Sequence, residues 1–253
     1  MTWMTQSTTA AGVDSWIAFR GRGPEPRLRL FCFPYAGAGA LIYRTWTEAL
    51  PSDVEVCPVQ LPGRGARSME LPFTRLSPLL DALTPALAPL LNKPFALFGH
   101  SLGALVSFEL ARRTRRDYGV SPVRLFVSAG RAPQIPKRGS LIHSLPRDEF
   151  LSELRRLNGM PAELLDHHEF MKIMLPILRA DFAVYETYEY SSEPPLDCPI
   201  SAFGGLQDRR VSNADLEGWQ VQTKAPFSLQ MFPGDHFFLK DPLLLRTLSQ
   251  ELQ

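Results

Sequence analysis

Apolar and polar positions follow two periodicities along the first half of the chain. Four short apolar runs, each bounded by proline or glycine turns, have the length and composition of buried strands. These runs are residues 28–33, 54–59, 95–99 and 123–128. Apolar residues at helical spacing separate them, over residues 41–50, 76–91 and 102–118. The alternation predicts parallel strands with helices on both faces of the sheet.

The alternation stops in the second half of the chain. Residues 136–195 carry helical patterns but no strand pattern, and Pro176 should kink the longest helix. The helices predicted there are 146–157, 161–165 and 168–190. Strands resume at 200–203 and 227–232, and helices at 215–223 and 242–252. The fold class is therefore α/β, with a mostly parallel central sheet and a helical insertion.

The N-terminal end follows neither periodicity. Residues 1–14 are polar and rich in Thr and Ser, which predicts a disordered tail before a single domain over residues 15–253. Residues 16–19 predict a short edge strand and residues 21–24 a turn.

Composition and charge exclude several classes of protein. The chain has 253 residues, 45% of them hydrophobic, and a net charge of +1, which gives no basis for binding nucleic acid. No segment has the pattern of a secretory signal or the length of a membrane span. The cysteines Cys32, Cys57 and Cys198 are few and widely spaced, which favours buried free thiols, no metal site and a cytoplasmic location.

Residues 99–103 read Gly-His-Ser-Leu-Gly, directly between a predicted strand and a predicted helix. In this context a G-x-S-x-G sequence indicates a nucleophile elbow, in which glycines let a strained turn present the hydroxyl of Ser101. The following helix points its N-terminal N–H groups at the position where negative charge would develop. The alternative is an ordinary strand–turn–helix unit with a capping serine.

A serine nucleophile needs a base and a partner for that base. In α/β-hydrolases these follow later strands in the order Ser, Asp or Glu, His. Asp208 follows the 200–203 strand and His236 follows the 227–232 strand, so both are in the expected order. The alternatives are a turn aspartate and a loop histidine that caps the last helix.

Other acids and histidines fit the base and its partner less well. The His100 side chain should point away from the base position, and Asp235 adjoins His236 too closely to reach its Nδ1. Asp215 is predicted on a solvated helix face. The remaining histidines fall in the helical insertion, where they are predicted to be exposed or part of a lid: His143, His167 and His168.

An oxyanion hole needs two N–H donors. Leu102, the residue after the serine, supplies one candidate. The small residues of the 34–39 loop let backbone approach a substrate, and Ala36 is the candidate there, with Tyr35 second. The alternative is a tight turn that only requires glycine.

Five sequence motifs together resemble the type II thioesterases, the stand-alone editing hydrolases of polyketide synthases and nonribosomal peptide synthetases. The motifs are 33–37 (Phe-Pro-Tyr-Ala-Gly), 61–65 (Leu-Pro-Gly-Arg-Gly), 99–103 (Gly-His-Ser-Leu-Gly), 178–182 (Leu-Arg-Ala-Asp-Phe) and 234–238 (Gly-Asp-His-Phe-Phe). The resemblance implies an α/β-hydrolase fold, with a lid over about residues 137–190. It places the catalytic triad on Ser101, Asp208 and His236, and the oxyanion donors on Leu102 and Ala36.

The resemblance also implies a substrate: an acyl group on the phosphopantetheine arm of an acyl or peptidyl carrier protein. Ser101 would form an acyl-serine intermediate that water hydrolyses, with no bound cofactor, in a cytoplasmic monomer. Apolar lid residues are then expected to line an acyl chamber, although any one of them could instead pack the lid onto the core. The residues expected there are Phe150, Leu154, Met171, Met174, Leu178 and Phe182.

Other functions remain open at this level. A chain-releasing medium-chain thioesterase of fatty acid synthesis shares most of the motifs, and a carboxylesterase or a noncatalytic carrier-binding module are further alternatives. The basic run 112–116 could meet an acidic carrier protein, although such a run is more often a solvated helix end.

Overall fold

Six parallel strands form the central sheet of this computed structural model, which describes residues 12–20, 25–139 and 141–253. The strand order is β2-β1-β3-β4-β5-β6. The strands are β1 (Leu28–Phe33), β2 (Val54–Pro58), β3 (Phe95–His100), β4 (Arg124–Ser128), β5 (Ile200–Gly205) and β6 (Phe227–Phe232). Because every pairing is parallel, all six carboxyl ends lie at one edge of the sheet, and the loops that follow them converge there.

Helices lie on both faces of this sheet. The α-helices are α1 (Val13–Trp16), α2 (Trp46–Ala49), α3 (Leu76–Leu87), α4 (Leu102–Tyr118), α5 (Arg147–Leu157), α6 (Ala162–Leu165), α7 (His168–Glu186), α8 (Asn213–Glu217) and α9 (Pro242–Glu251). Alternate residues of β3 divide the core: Leu97 packs in the cluster that contains α3 and α4, and Phe98 in the cluster that contains α9. Every residue of β3 is buried, which explains its continuous apolar sequence.

The helical insertion, residues 129–199 between β4 and β5, carries α5, α6 and α7. Apart from one bridge at Leu196, its described residues form no strand, as the sequence predicts. These helices pack around a small core of their own, which includes Phe150 and Met171.

Several element predictions were wrong in detail. The 16–19 strand is replaced by the end of α1 and a single antiparallel bridge from Ile17 to Val59, because Trp16 is buried under the Arg67 guanidinium, 3.9 Å from the indole centroid. The 41–50 helix splits into a 3-10 turn, Ala40–Tyr43, and α2.

Two other helices are shorter than expected, since the 215–223 helix becomes 3-10 after α8 and the 168–190 helix ends at Glu186. The 21–24 turn and most of the 1–14 tail lie outside the described residues.

All three cysteines are buried free thiols, as their spacing predicts. Within the described ranges, no helix combines the length and the apolar character that crossing a membrane requires.

Candidate active site

Ser101 lies at the tight turn between β3 and α4. Its backbone has φ 55° and ψ −113°, a conformation that residues with a side chain rarely adopt. The flanking glycines are required, because a Cβ on Gly99 would lie 2.0 Å from the carbonyl oxygen of Gly103. A Cβ on Gly103 would lie 2.1 Å from the carbonyl oxygen of Phe33. The turn has the geometry of the elbow that the sequence predicts, at the carboxyl edge of the sheet.

Asp208 and His236 follow the neighbouring strands β5 and β6, and their side chains meet. His236 Nδ1 lies 2.7 Å from Asp208 Oδ2. Asp208 Oδ1 accepts hydrogen bonds from the backbone N–H groups of Arg210, at 2.7 Å, and Val211, at 3.3 Å. Within the described ranges, the buried His236 Nε2 has no hydrogen-bond partner. It is therefore available to a hydroxyl in the cavity that His236 and Ser101 both line.

Burial and charge set the protonation of this pair. Burial lowers the pKa of His236, the hydrogen bond to Asp208 opposes that shift in part, and the Arg210 guanidinium adds to it. Burial alone would raise the pKa of Asp208, but the hydrogen bonds from His236 and from the backbone outweigh it and leave that pKa lowered. At neutral pH the pair is therefore a carboxylate and a neutral imidazole whose Nδ1–H donates.

His100 supports the loop that carries His236. Its Nε2 lies 2.8 Å from the carbonyl oxygen of His236, and its Nδ1 lies 2.9 Å from Ser128 Oγ. Because a carbonyl only accepts, Nε2 carries the proton and Nδ1 accepts from the hydroxyl. Burial lowers the pKa of His100 well below its usual range, so the ring is neutral. The sequence offered no sign of this contact, which joins residues 136 positions apart.

The two candidate oxyanion donors lie on either side of the serine. Among the described residues, neither the Ala36 N–H nor the Leu102 N–H has an acceptor, whereas the Gly37 N–H donates to Asp181 Oδ2 at 2.7 Å. Both Ala36 and Leu102 line a cavity that contains Ser101. The free N–H of Ala36 therefore remains the better candidate in the 34–39 loop.

A buried ion pair holds that loop. Arg64 donates to both carboxylate oxygens of Asp181, at 2.6 and 2.7 Å, and to the carbonyl oxygen of Ala38 at 3.1 Å. Both charged residues are less than one-tenth exposed. Sequence reasoning missed this role, although Arg64 and Asp181 belong to two of the five motifs, and motif membership was the available signal.

An apolar chamber of about 350 Å³ extends from Ser101 and His236 under the helical insertion. Four of the expected lining residues are in its wall: Leu154, Met174, Leu178 and Phe182. The expectation for Phe150 and Met171 was wrong, because both face the interior of the insertion and are at most 1% exposed. Helical spacing identified the apolar residues of α5 and α7. It could not show which of them face the chamber and which face the interior of the insertion.

Sequence reasoning missed much of the chamber wall. The additional lining residues include Tyr35, Ile42, Leu157, Met160, Leu164, Phe170 and Phe237. Phe237 belongs to the 234–238 motif, and its ring packs edge-on against Tyr35 at 5.1 Å between centroids. Tyr35 belongs to the 33–37 motif, and Leu157 and Phe170 lie on the predicted helices 146–157 and 168–190, so their positions carried a signal that was not used. The rest come from loops and short helices.

A second cavity, which we call the polar groove, reaches Ser101 from another side. It has a volume of about 860 Å³ and shares Ala36, Ser101 and His236 with the chamber. Its charged lining residues are Arg131, Lys137, Arg138, Arg156, Arg209, Arg210, Glu149, Glu153 and Glu186. Ser101 is therefore at the junction of an apolar cavity and a charged one.

One prediction about surface charge was wrong. Asp215 is not on a solvated face: it is 1% exposed, caps α8 through Ser212 and pairs with Arg131 at 3.1 Å. The basic run 112–116 is not a free cationic surface, because each of its arginines pairs with a carboxylate. The partners are Asp81, Glu109, Asp117 and Glu193.

Across the described ranges, no group of three or more His, Cys, Asp or Glu side chains is arranged to hold a metal ion.

A fold with a serine elbow and a later acid and histidine is that of an α/β-hydrolase, and comparison with known proteins narrows the class. A family model described as a thioesterase domain matches residues 28–252. The chain is 48% identical over 232 residues to the gramicidin S biosynthesis protein GrsT of Aneurinibacillus migulanus, a match covering 92% of this chain and 91% of that protein.

Solved structures agree with that match. The RedJ thioesterase of prodiginine biosynthesis in Streptomyces coelicolor has a TM-score of 0.83 at 40% identity, covering 89% of this chain and 86% of its own. The type II thioesterase BorB of the borrelidin biosynthetic cluster has a TM-score of 0.85 at 37% identity, covering 95% and 98%. The chain belongs to the thioesterase family and is a thioester hydrolase, and its predicted resemblance to type II thioesterases is confirmed.

Proposed function

We propose that Ser101, His236 and Asp208 form the catalytic triad of this thioester hydrolase. The observation that carries the proposal is that Ser101 and His236, whose Nε2 has no partner among the described residues, line the same two cavities. That nitrogen forms no hydrogen bond to Ser101 in this structure, and such contacts often tighten only when a substrate is bound.

The geometry supports a two-step reaction. Ser101 Oγ attacks the thioester carbonyl while His236 Nε2 takes its proton, and the N–H groups of Leu102 and Ala36 stabilise the oxyanion. The C–S bond then breaks and the thiolate takes the proton from His236, which leaves an acyl-serine. Water then attacks this ester and gives a proton to His236. The free acid is released, and His236 returns the proton to Ser101 Oγ, which regenerates the hydroxyl.

The substrate follows from the relatives and from the chamber. We propose that the chain removes short or aberrant acyl groups from carrier proteins of a polyketide synthase or nonribosomal peptide synthetase, since GrsT, RedJ and BorB serve such natural-product pathways. The apolar chamber suits the acyl group. Residues 15–253 then act as one cytoplasmic, monomeric domain, with the helical insertion as its lid over about 137–190.

A single carrier protein loaded with acetyl, propionyl, butyryl, hexanoyl or decanoyl groups tests this function. Ser101→Ala should abolish hydrolysis and labelling by a fluorophosphonate, whereas Ser107→Ala, in the helix that follows Ser101 but outside both cavities, should keep both. Faster hydrolysis of the short groups supports editing, and faster hydrolysis of decanoyl would indicate chain release instead. Turnover by a folded Ser101→Ala protein would contradict the triad.

A further inference from the structure

The two sides of a thioester differ in chemistry as the two cavities do. The acyl side is apolar in the substrates proposed above and matches the chamber. The thiol side is a phosphopantetheine arm, which is polar along its length because of its amides and ends in an anionic phosphodiester. Since Ser101 is at the junction of the cavities, an acyl group in the chamber directs the arm into the polar groove.

Most cations of the polar groove already have partners. Lys137 Nζ is bound to the carbonyl oxygens of Glu186 and Tyr188, and the Arg210 guanidinium donates to the carbonyl oxygen of Leu157. The pairing of Arg156 with Glu153 is longer, at 3.4 Å.

Two cations of the groove remain available to a ligand. Arg209 is exposed and has no ion-pair or hydrogen-bond partner within the described ranges. Arg138 is 66% exposed, and it shares Asp215 with Arg131, which lies nearer to that carboxylate (3.1 Å against 3.4 Å). Arg209 therefore has donors unpaired among the described residues, and the Arg138 guanidinium keeps donors other than the Nη2 that contacts Asp215.

Three carboxylates line the groove and offset part of this charge, among them the exposed Glu149. Glu186 is held by the backbone N–H groups of Ile142 and His143 and by the His143 ring, and Glu153 is paired with Arg156. Cationic lining residues outnumber carboxylates by six to three. A net positive electrostatic potential in the groove would thus attract an anion.

We propose that the polar groove binds the phosphopantetheine arm and that Arg138 and Arg209 contact its phosphodiester, an inference that rests on the proposed function. Arginine suits this contact because its planar guanidinium offers several N–H donors to phosphate oxygens. The other basic feature of the chain, the 112–116 run, is neutralised by its own acids and cannot take this role.

Four thioesters of the same acyl group test the proposal: those of N-acetylcysteamine, pantetheine, 4′-phosphopantetheine and a holo carrier protein. The measured quantity is the ratio of kcat/KM for the phosphopantetheine thioester to that for the pantetheine thioester, which isolates the phosphate. Arg138→Ala/Arg209→Ala should lower this ratio roughly tenfold, with a similar loss on the carrier. The control Arg44→Ala/Arg246→Ala removes two exposed arginines that line neither cavity and should leave the ratio unchanged.

Each other outcome has a distinct meaning. An unchanged ratio in the groove variant overturns the proposal, and so does a loss confined to the carrier, because it would place these arginines on the carrier surface rather than on the arm. Failure of the proposed function is seen separately, as an absence of Ser101-dependent hydrolysis of the N-acetylcysteamine thioester by the wild-type protein.

Discussion

Arg210 connects the acid of the proposed triad, the base and the lid. Its backbone N–H donates to Asp208, while its guanidinium donates to the carbonyl oxygen of Leu157 at the end of α5 and lies 5.2 Å from the Phe237 ring centroid. A fixed positive charge near His236 disfavours the imidazolium. Arg210 therefore helps to keep the proposed base unprotonated.

Replacing Arg210 should change the pH dependence of hydrolysis. A base must be neutral, so activity is lost as the pH falls through the pKa of His236. Arg210→Gln removes a charge that lowers this pKa, so the acidic limb of kcat/KM should move to higher pH. The measurement is a pH profile on an N-acetylcysteamine thioester, which carries no phosphate.

Arg209→Gln is the matched control for this prediction. It removes the same charge from the adjacent, exposed residue, and the acidic limb should stay where it is in the wild type. An acidic limb that moves equally in both variants would mean that the net charge of the protein, rather than the position of Arg210, sets the pKa of His236.

Among the elements, α7 uses one face for two purposes, since positions 174, 178, 181 and 182 have the spacing of a single helical face. Met174, Leu178 and Phe182 line the chamber, while Asp181 reaches the 34–39 loop, and Ile173 is 66% exposed. One helix therefore lines the chamber and also holds the loop of the proposed oxyanion donor.

Filling the chamber from α7 should shorten the accepted acyl chain. Met174→Trp places a larger ring in the chamber wall, so the ratio of kcat/KM for butyryl to that for decanoyl should rise roughly tenfold. Ile173→Trp makes the same kind of change on the exposed face of α7 and should leave the ratio as it is. An identical ratio in the two variants would mean that the acyl chain does not bind against this wall of the chamber.

Weakening the ion pair under the 34–39 loop should slow chemistry more than binding. Asp181→Asn removes the charge that holds Arg64 and Gly37, so the Ala36 N–H should be less well placed for the oxyanion. We expect kcat to fall roughly 10- to 100-fold with little change in KM, because a lost oxyanion donor acts on the transition state.

Two further readouts separate positioning from stability. Affinity for a boronic acid that forms a tetrahedral serine adduct should fall with kcat in Asp181→Asn. Glu55→Gln, which breaks the partly buried pair with Arg29 in the sheet, should lower the melting temperature without reducing that affinity. A loss of stability in Asp181→Asn with an unchanged kcat would make the pair purely structural.

At the scale of the molecule, two buried histidines couple folding to pH. Burial lowers the pKa of both His100 and His236 from the ordinary value of 6.5. Below about pH 6.5 the unfolded chain therefore binds more protons than the folded one, and the free energy of unfolding falls as the pH drops. The lowered pKa of Asp208 adds a further loss only near the much lower pH at which carboxylates titrate.

The slope of stability against pH measures this coupling. Each neutral buried histidine contributes up to about 1.4 kcal/mol per pH unit below pH 6.5. His100→Gln should reduce the slope in urea unfolding between pH 6.5 and 5, whereas His168→Gln, at a ring 73% exposed, should not. An unaltered slope in His100→Gln would contradict a neutral His100 in the folded protein.

Local sequence patterns were enough to predict the sheet, the elbow and the order of the candidate triad. These features depend on local patterns: a buried strand is continuously apolar, a cramped turn needs glycine at Gly99 and Gly103, and Asp208 and His236 each follow a strand. Because parallel strands bring their carboxyl ends to one edge, local patterns and chain order were sufficient to place these residues near one another.

Contacts between residues far apart in the chain could be identified only in the folded structure. The Arg64–Asp181 pair joins positions 117 apart. The burial of Asp215 and the pairing of the 112–116 arginines with Asp81 and Glu193 likewise depend on partners that no periodicity specifies. Periodicity likewise predicted that Phe150 and Leu154 lie on one apolar helix. It could not show which of them faces the chamber. Side-chain direction and charge pairing follow from packing between distant segments, and packing is a property of the folded chain.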